Sequence, residues 1–219
     1  MKKFRILDFR IIVELFLTEK VKMTKIIGIT GGIAMGKSTV SKHIQQKGFE
    51  VIDADKIVHE LQAKEGKLYK ILIEEFGEDI LIPETGEIDR KTLSEIAFKK
   101  PESLKRIVEI QHEAIELEII SRLNKARNSK AEFAFFDCAL LFENEYEKLC
   151  DEVWTVFCSK EKQIERLKAR NNLTEEEALL RIESQIDPII RNFRSKKVIP
   201  NHDSKEELIK KIDELLSKL

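Results

Sequence analysis

A chain of 219 residues is long enough to bury one sizeable core. Its 42% hydrophobic and 36% charged residues, with only 8 Gly and 4 Pro, exclude a low-complexity or disordered protein. Lys plus Arg number 39 against 40 Asp plus Glu, so no global basic field exists to drive nonspecific nucleic-acid binding. Cys138, Cys150 and Cys158 are odd in number and lack metal-ligand spacing, which points to free thiols in a reducing cytoplasm. No run of about 18 apolar residues offers a membrane span.

Residues 1–22 read as an N-terminal extension, because Met23 directly precedes the first strong strand, Lys25 to Thr30. Within it Phe4, Leu7, Ile11 and Leu15 fall at helical spacing, interrupted by Asp8, Arg10 and Glu14. After the strand come Gly31-Gly32-Ile33-Ala34-Met35-Gly36-Lys37-Ser38 and a helix through about Lys47, with Gly48 as its stop. The stretch from Phe49 to Asp53 is the next strand, and the interval predicts a βαβ unit in a parallel sheet. Helical patterns then run from Ala54 to about Arg127, broken between Gly77 and Gly86, as an insertion between sheet strands. Phe133 to Asp137 and Val153 to Phe157 read as buried parallel strands. A charged helix from Lys160 to about Arg170 and a second begun by the capping pattern Thr174 to Glu177 form a candidate lid. Val198-Ile199 is a last short strand, and 204–219 a closing helix with Leu208, Ile212, Leu215 and Leu216 on one face.

The spacing Gly31-x4-Gly36-Lys37-Ser38 between a strand and a helix is the P-loop pattern. Such a loop turns backbone N–H groups of residues 31–39 toward an anion, with Thr39 opening the helix whose positive end faces the phosphates. Lys37 adds a charge for the β and γ phosphates, and the Ser38 hydroxyl is a ligand for the bridging Mg²⁺. A guanine-reading Asn-Lys-x-Asp is missing, since Asn124-Lys125 is followed by Ala126-Arg127, which favours ATP. Asp53 and Asp55 stand where the second strand ends, at the edge that carries the P-loop. Either can orient an acceptor hydroxyl and take its proton, and either can cap the helix that follows. Asp137 ends its strand as a Mg²⁺-holding carboxylate or as a simple terminus. Arg166 and Arg170, four apart, share a helix face from which phosphate oxygens can be clamped.

Ile29 to Ile33 with Gly36 to Val40, then Val51-Ile52-Asp53-Ala54-Asp55, resemble the dephospho-CoA kinase family from about residue 24 to the C-terminus. Ile110-Gln111-His112, Asp137-x-x-Leu140-Leu141-Phe142-Glu143 and the helix from Gln163 through Arg170 extend the resemblance. It implies a P-loop NTPase fold, a three-layer α/β/α core with a parallel sheet, a helical acceptor-binding insertion at about 56–127 and a lid at about 160–187. The implied reaction is transfer of the γ-phosphate of ATP, with Mg²⁺, to the 3′-hydroxyl of dephospho-coenzyme A. Asp55 is then the catalytic base beside Lys37 and Arg170, Asp53 supports it, His59 and His112 line the acceptor side, and Ser38 and Asp137 serve the metal. A cytoplasmic monomer or weak homo-oligomer without nucleic-acid or membrane partners is expected. Departures from the family pattern fall at Ala34, Met35, Glu113, Ala139, Asn171 and Asn201-His202-Asp203. The rival readings are a nucleoside monophosphate or other small-metabolite kinase and an ATP-binding regulatory protein.

Overall fold

The first strand, β1 (Lys25–Thr30), is apolar on both sides, as a strand covered by helices on both faces must be. In the computed structural model, which describes residues 23–64, 66–99 and 101–219, it lies at the centre of a parallel sheet. The expected extension at residues 1–22 and its helical spacing lie outside the described residues. Along the chain follow α1 (Lys37–Gln46), β2 (Glu50–Asp53), α2 (Ala54–Gln62), α3 (Lys67–Phe76), α4 (Arg90–Lys99) and α5 (Pro101–Arg127). Next come β3 (Phe133–Asp137), β4 (Glu152–Phe157), α6 (Lys160–Asn171), α7 (Glu175–Glu183), α8 (Pro188–Arg194), β5 (Lys197–Pro200) and α9 (Lys205–Leu216).

The sheet order is β2-β3-β1-β4-β5, every neighbouring pair parallel. The expected βαβ unit is present with one qualification: β1 and β2 are not neighbours, because β3 returns from the insertion and pairs with both. Side-chain alternation divides the core into two faces. Ile26, Ala134, Phe136 and Val153 face one side with the insertion residues Ile57, Leu61, Leu68, Leu72, Ile119 and Leu123. Ile27, Ile29, Phe135, Trp154 and Val156 face the other, against Val40 and Ile44 of α1 and Leu208 and Ile212 of α9. Three layers result, and the insertion shares its core with the sheet instead of building one of its own. The expected break between α3 and α4 is a short 3-10 turn, Glu78–Ile80, followed by an isolated bridge between Leu81 and Ile88.

The two helices expected as a lid carry a small core of their own, Leu167, Ala178 and Ile182, onto which Ile33 and Ala34 pack. Helix α7 starts with both hydrogen bonds of the Thr174–Glu177 capping box. Among the described residues no helix is long and apolar enough to cross a membrane.

Candidate active site

Parallel strands deliver their C-terminal ends to one edge of the sheet, and the loops there form the cleft. A hollow of about 770 Å³ opens at that edge, lined by Gly31, Gly32, Ile33, Ala34, Gly36, Lys37, Ser38 and Thr39 together with Asp55, Arg166 and Arg170. Of residues 31–39 only Met35 does not line it. The Met35 side chain is buried, and its sulfur accepts from Gly32 N at 3.2 Å. The loop turns twice through left-handed backbone, at Ala34 (φ 59°) and at Gly36 (φ 101°), which precedes α1. Such turns alternate the direction of successive N–H groups, which is the backbone form of the anion nest the sequence motif implies.

Lys37 Nζ pairs with the Asp137 carboxylate, which is only 4% exposed. Burial pushes the Asp137 carboxyl above its usual range, the Lys37 charge and hydrogen bond pull it back, and nearby Asp53 adds to the upward push. Register explains that neighbour, since Asp53 of β2 lies directly beside Asp137 of β3. The two aspartates at the end of β2 and the start of α2 are placed differently. Asp53 caps α2, accepting from Lys56 N at 3.1 Å, whereas Asp55 stands in the exposed first turn of α2 and lines the cleft facing the cradle. Burial also drives the Cys138 thiol, next to Asp137, up to about 12.

The remaining expected residues separate. Arg170 lines the cleft, its Nε donating to Asn171 Oδ1 at 2.9 Å. Arg166 lines it too, yet its guanidinium is engaged: Nη1 donates to Ala34 O at 3.3 Å and Nη2 to Asn201 O at 3.2 Å. His59 lies one turn beyond Asp55, bonded to Arg90 Nη1 at 2.6 Å, and lines a second hollow of about 480 Å³ with Gln62, Ile82, Ile88 and Asp89. His112, half exposed on α5, has Nδ1 3.8 Å from Glu116. Neither histidine lines the cleft of Asp55 and Lys37.

Several polar side chains that hold the cradle were not singled out for this role by the motif. Gln163 Nε2 donates to Ile33 O at 2.8 Å, Gln185 Oε1 accepts from Ile33 N at 2.7 Å, and Asn201 Nδ2 donates to Met35 O at 2.8 Å. Behind Gly32 lies Arg191, 1% exposed and paired with Glu143 at 3.0 Å. Burial pulls its guanidinium below the usual range, Glu143 opposes this, and Nε has no hydrogen-bond partner among the described residues. One sequence signal marks Arg191: helix α8 is inside out, with Ile189, Ile190 and Phe193 exposed and the arginine buried. For Gln185 a single sequence carries no such signal.

A family model described as dephospho-CoA kinase matches residues 25–207. The chain is 44% identical over 197 residues to a dephospho-CoA kinase of Streptococcus agalactiae serotype Ia, covering 90% of this chain and all of that one. It is 41% identical to that of Streptococcus mutans, covering 90% of this chain and 98% of the relative. The structure is similar to a dephospho-CoA kinase from Campylobacter jejuni, with a TM-score of 0.70 and 28% identity over 90% of this chain and 97% of the other.

Proposed function

The chain belongs to the dephospho-CoA kinase family, and from that premise we propose how its residues transfer the γ-phosphate of ATP to the 3′-hydroxyl of dephospho-coenzyme A. The single observation that carries the reading is the sharing of one cleft by the Asp55 carboxylate and the phosphate cradle with Lys37 and Ser38. A kinase of this kind has little covalent chemistry to perform, so positioning and charge supply most of its catalysis.

In this reading the Ala34 and Gly36 N–H groups, the first-turn N–H groups of α1 and the Lys37 ammonium hold the β and γ phosphates. Asp55 hydrogen-bonds the acceptor hydroxyl and receives its proton as the new O–P bond forms. The bond from the γ-phosphorus to the β–γ bridging oxygen breaks, and ADP leaves with that oxygen. Arg170, from α6, neutralises charge spreading over the transferred group. The Ser38 hydroxyl and the Asp137 carboxylate are hard oxygen donors of the type Mg²⁺ takes beside nucleotide phosphates, so the residues fit that ion. Held by Ser38 and Asp137, Mg²⁺ would supply charge neutralisation of the nucleotide phosphates. The ion pair ties Asp137, which does not itself line the cleft, to Lys37, which does.

The insertion at about 56–127 takes the acceptor, with Asp53 supporting the α2 turn and His59 and His112 at a greater distance along α2 and α5. The segment at about 160–187 serves as the lid that excludes water from the transfer. The enzyme works as a cytoplasmic monomer or weak homo-oligomer on small molecules, in keeping with its near-balanced charge. The test is an acceptor panel with ATP: dephospho-coenzyme A beside AMP, cytidylate and shikimate. Selective consumption of dephospho-coenzyme A is the expected result, and preference for any of the other three overturns the assignment of substrate.

A further inference from the structure

Three successive carbonyls of the cradle are each met by a side chain from outside it. Ile33 O accepts from Gln163 Nε2 at 2.8 Å, Ala34 O from Arg166 Nη1 at 3.3 Å and Met35 O from Asn201 Nδ2 at 2.8 Å. In a trans peptide the N–H of the next residue points opposite to the C=O of the same plane. Pulling these carbonyls outward therefore turns the N–H groups of Ala34, Met35 and Gly36 the other way. Met35 N closes a turn onto Gly32 O at 3.2 Å. The N–H groups of Ala34 and Gly36 make no hydrogen bond among the described residues.

The holding groups are themselves fixed. Gln163 is 2% exposed and Asn201 6%. Asn201 N donates to Phe157 O at 2.7 Å, and both Asn201 O and Oδ1 accept from Arg166 Nη2, at 3.2 and 3.4 Å. With Oδ1 committed to a guanidinium, the amide must present Nδ2 to Met35 O, which settles its orientation. Gly36 lies so close that a Cβ there would stand 2.2 Å from this Nδ2. Gln185 secures the opposite side of Ile33 by accepting its N–H at 2.7 Å.

We propose that Gln163, Asn201 and, by holding Asn201, Arg166 are positioning residues for phosphoryl transfer: Gln163 and Asn201 hold the Ile33 and Met35 carbonyls and thereby aim the Ala34 and Gly36 N–H groups at the nucleotide phosphates. This rests on the kinase reading and deepens it, assigning the three side chains to the donor nucleotide and not to the acceptor. Arg166 accordingly acts through Asn201, and Arg170 is left as the lid arginine free to meet phosphate oxygens.

Asn201→Asp and Gln163→Glu test it, because each replaces a donating nitrogen by an oxygen of the same size that repels the carbonyl it faces. Misdirected N–H donors to an anion weaken binding roughly 10- to 100-fold. Calorimetric titration with ATP is expected to show that loss in both variants, while KM for dephospho-coenzyme A stays within about twofold of wild type and both variants melt as folded proteins. If Asn201→Asp does not fold, Gln163→Glu carries the test through a different carbonyl. Folded variants that bind ATP as wild type does overturn the proposal. Parallel loss of both substrates together with a lowered melting temperature overturns it as well, in favour of a purely structural tie. Wild-type protein that binds ATP yet leaves dephospho-coenzyme A untouched sinks only the substrate reading, since the titration does not depend on the acceptor. Wild-type protein that binds no ATP sinks both.

Discussion

Two left-handed residues two positions apart in the cradle, one of them glycine, allow a sharp stability experiment. In Gly36→Ala a Cβ enters at φ 101°, a conformation that costs an L-residue about 1–2 kcal/mol. The same Cβ stands 2.2 Å from Asn201 Nδ2, whose backbone is tied to Phe157 O, so the amide has to swing away from Met35 O. Leaving that buried amide unsatisfied costs a further ~1–3 kcal/mol. The sum is about 2–5 kcal/mol, which lowers the melting temperature by roughly 4–20 °C for a domain of this size. Ala34→Gly runs the other way. Relief of strain at φ 59° returns about 1–2 kcal/mol. Against it stand ~0.4–1 kcal/mol of unfolded-chain entropy and up to ~0.8 kcal/mol for a methyl packed on Leu167, Ala178 and Ile182. The net runs from about 0.8 kcal/mol of loss to about 1.6 kcal/mol of gain. Urea and thermal unfolding followed by the fluorescence of Trp154, the one tryptophan and fully buried, read both changes. A Gly36→Ala variant as stable as wild type, or an Ala34→Gly variant that is the more damaged of the two, would refute the cradle geometry.

Asp53→Ala removes the α2 cap and is expected to cost about 1 kcal/mol in urea unfolding, whereas Asp53→Asn keeps most of that stability; equal losses in the two would contradict the capping role. Asp213, bonded to Lys47 and His43, ties α9 to α1, and those bonds hold its carboxyl below the usual 3.8. A depressed carboxylate contributes stability above its unfolded value that disappears as pH falls through the folded one. The stability gap between wild type and Asp213→Asn is therefore expected to close as pH falls below about 4, and a gap that persists in strong acid would speak against the linkage. The thiols of Cys138 and Cys150, both driven up to about 12 by burial, are expected to resist alkylation of the native protein at pH 8; rapid labelling of either would contradict that burial.

Local signals reached the sheet strands and the helices because each has its own period: β1 matches its expected span, Lys25–Thr30, and the Thr174 capping box forms as its spacing implies. Strand order did not follow from such signals. Placing β3 between β1 and β2 depends on how the insertion returns the chain, a long-range outcome that no local pattern encodes. At the site the motif located Lys37, Ser38 and the cradle; Asp53 and Asp55 were equivalent by position and told apart only by the family resemblance, and the backbone puts the cap on Asp53 and Asp55 in the cleft. Arg166 shared a face with Arg170 in sequence, but its neighbours across the cleft, Ala34 O and Asn201, occupy its donors. Met35 was expected to line the cradle with its neighbours but its side chain turns inward, and Arg191 escaped notice because a helix turned its charge inward, both against the usual expectation.

The most direct measurement compares wild type with Asp55→Asn for ATP-dependent 3′-phosphorylation of dephospho-coenzyme A, with ATP affinity titrated alongside. Loss of a general base costs roughly 10²–10⁴ in rate. The account predicts a kcat reduced by that order in Asp55→Asn with ATP binding unchanged, because Asp55 faces the cleft from α2 and takes no part in holding the cradle. A variant that turns over as wild type does would place the proton acceptor elsewhere and contradict the assignment of Asp55.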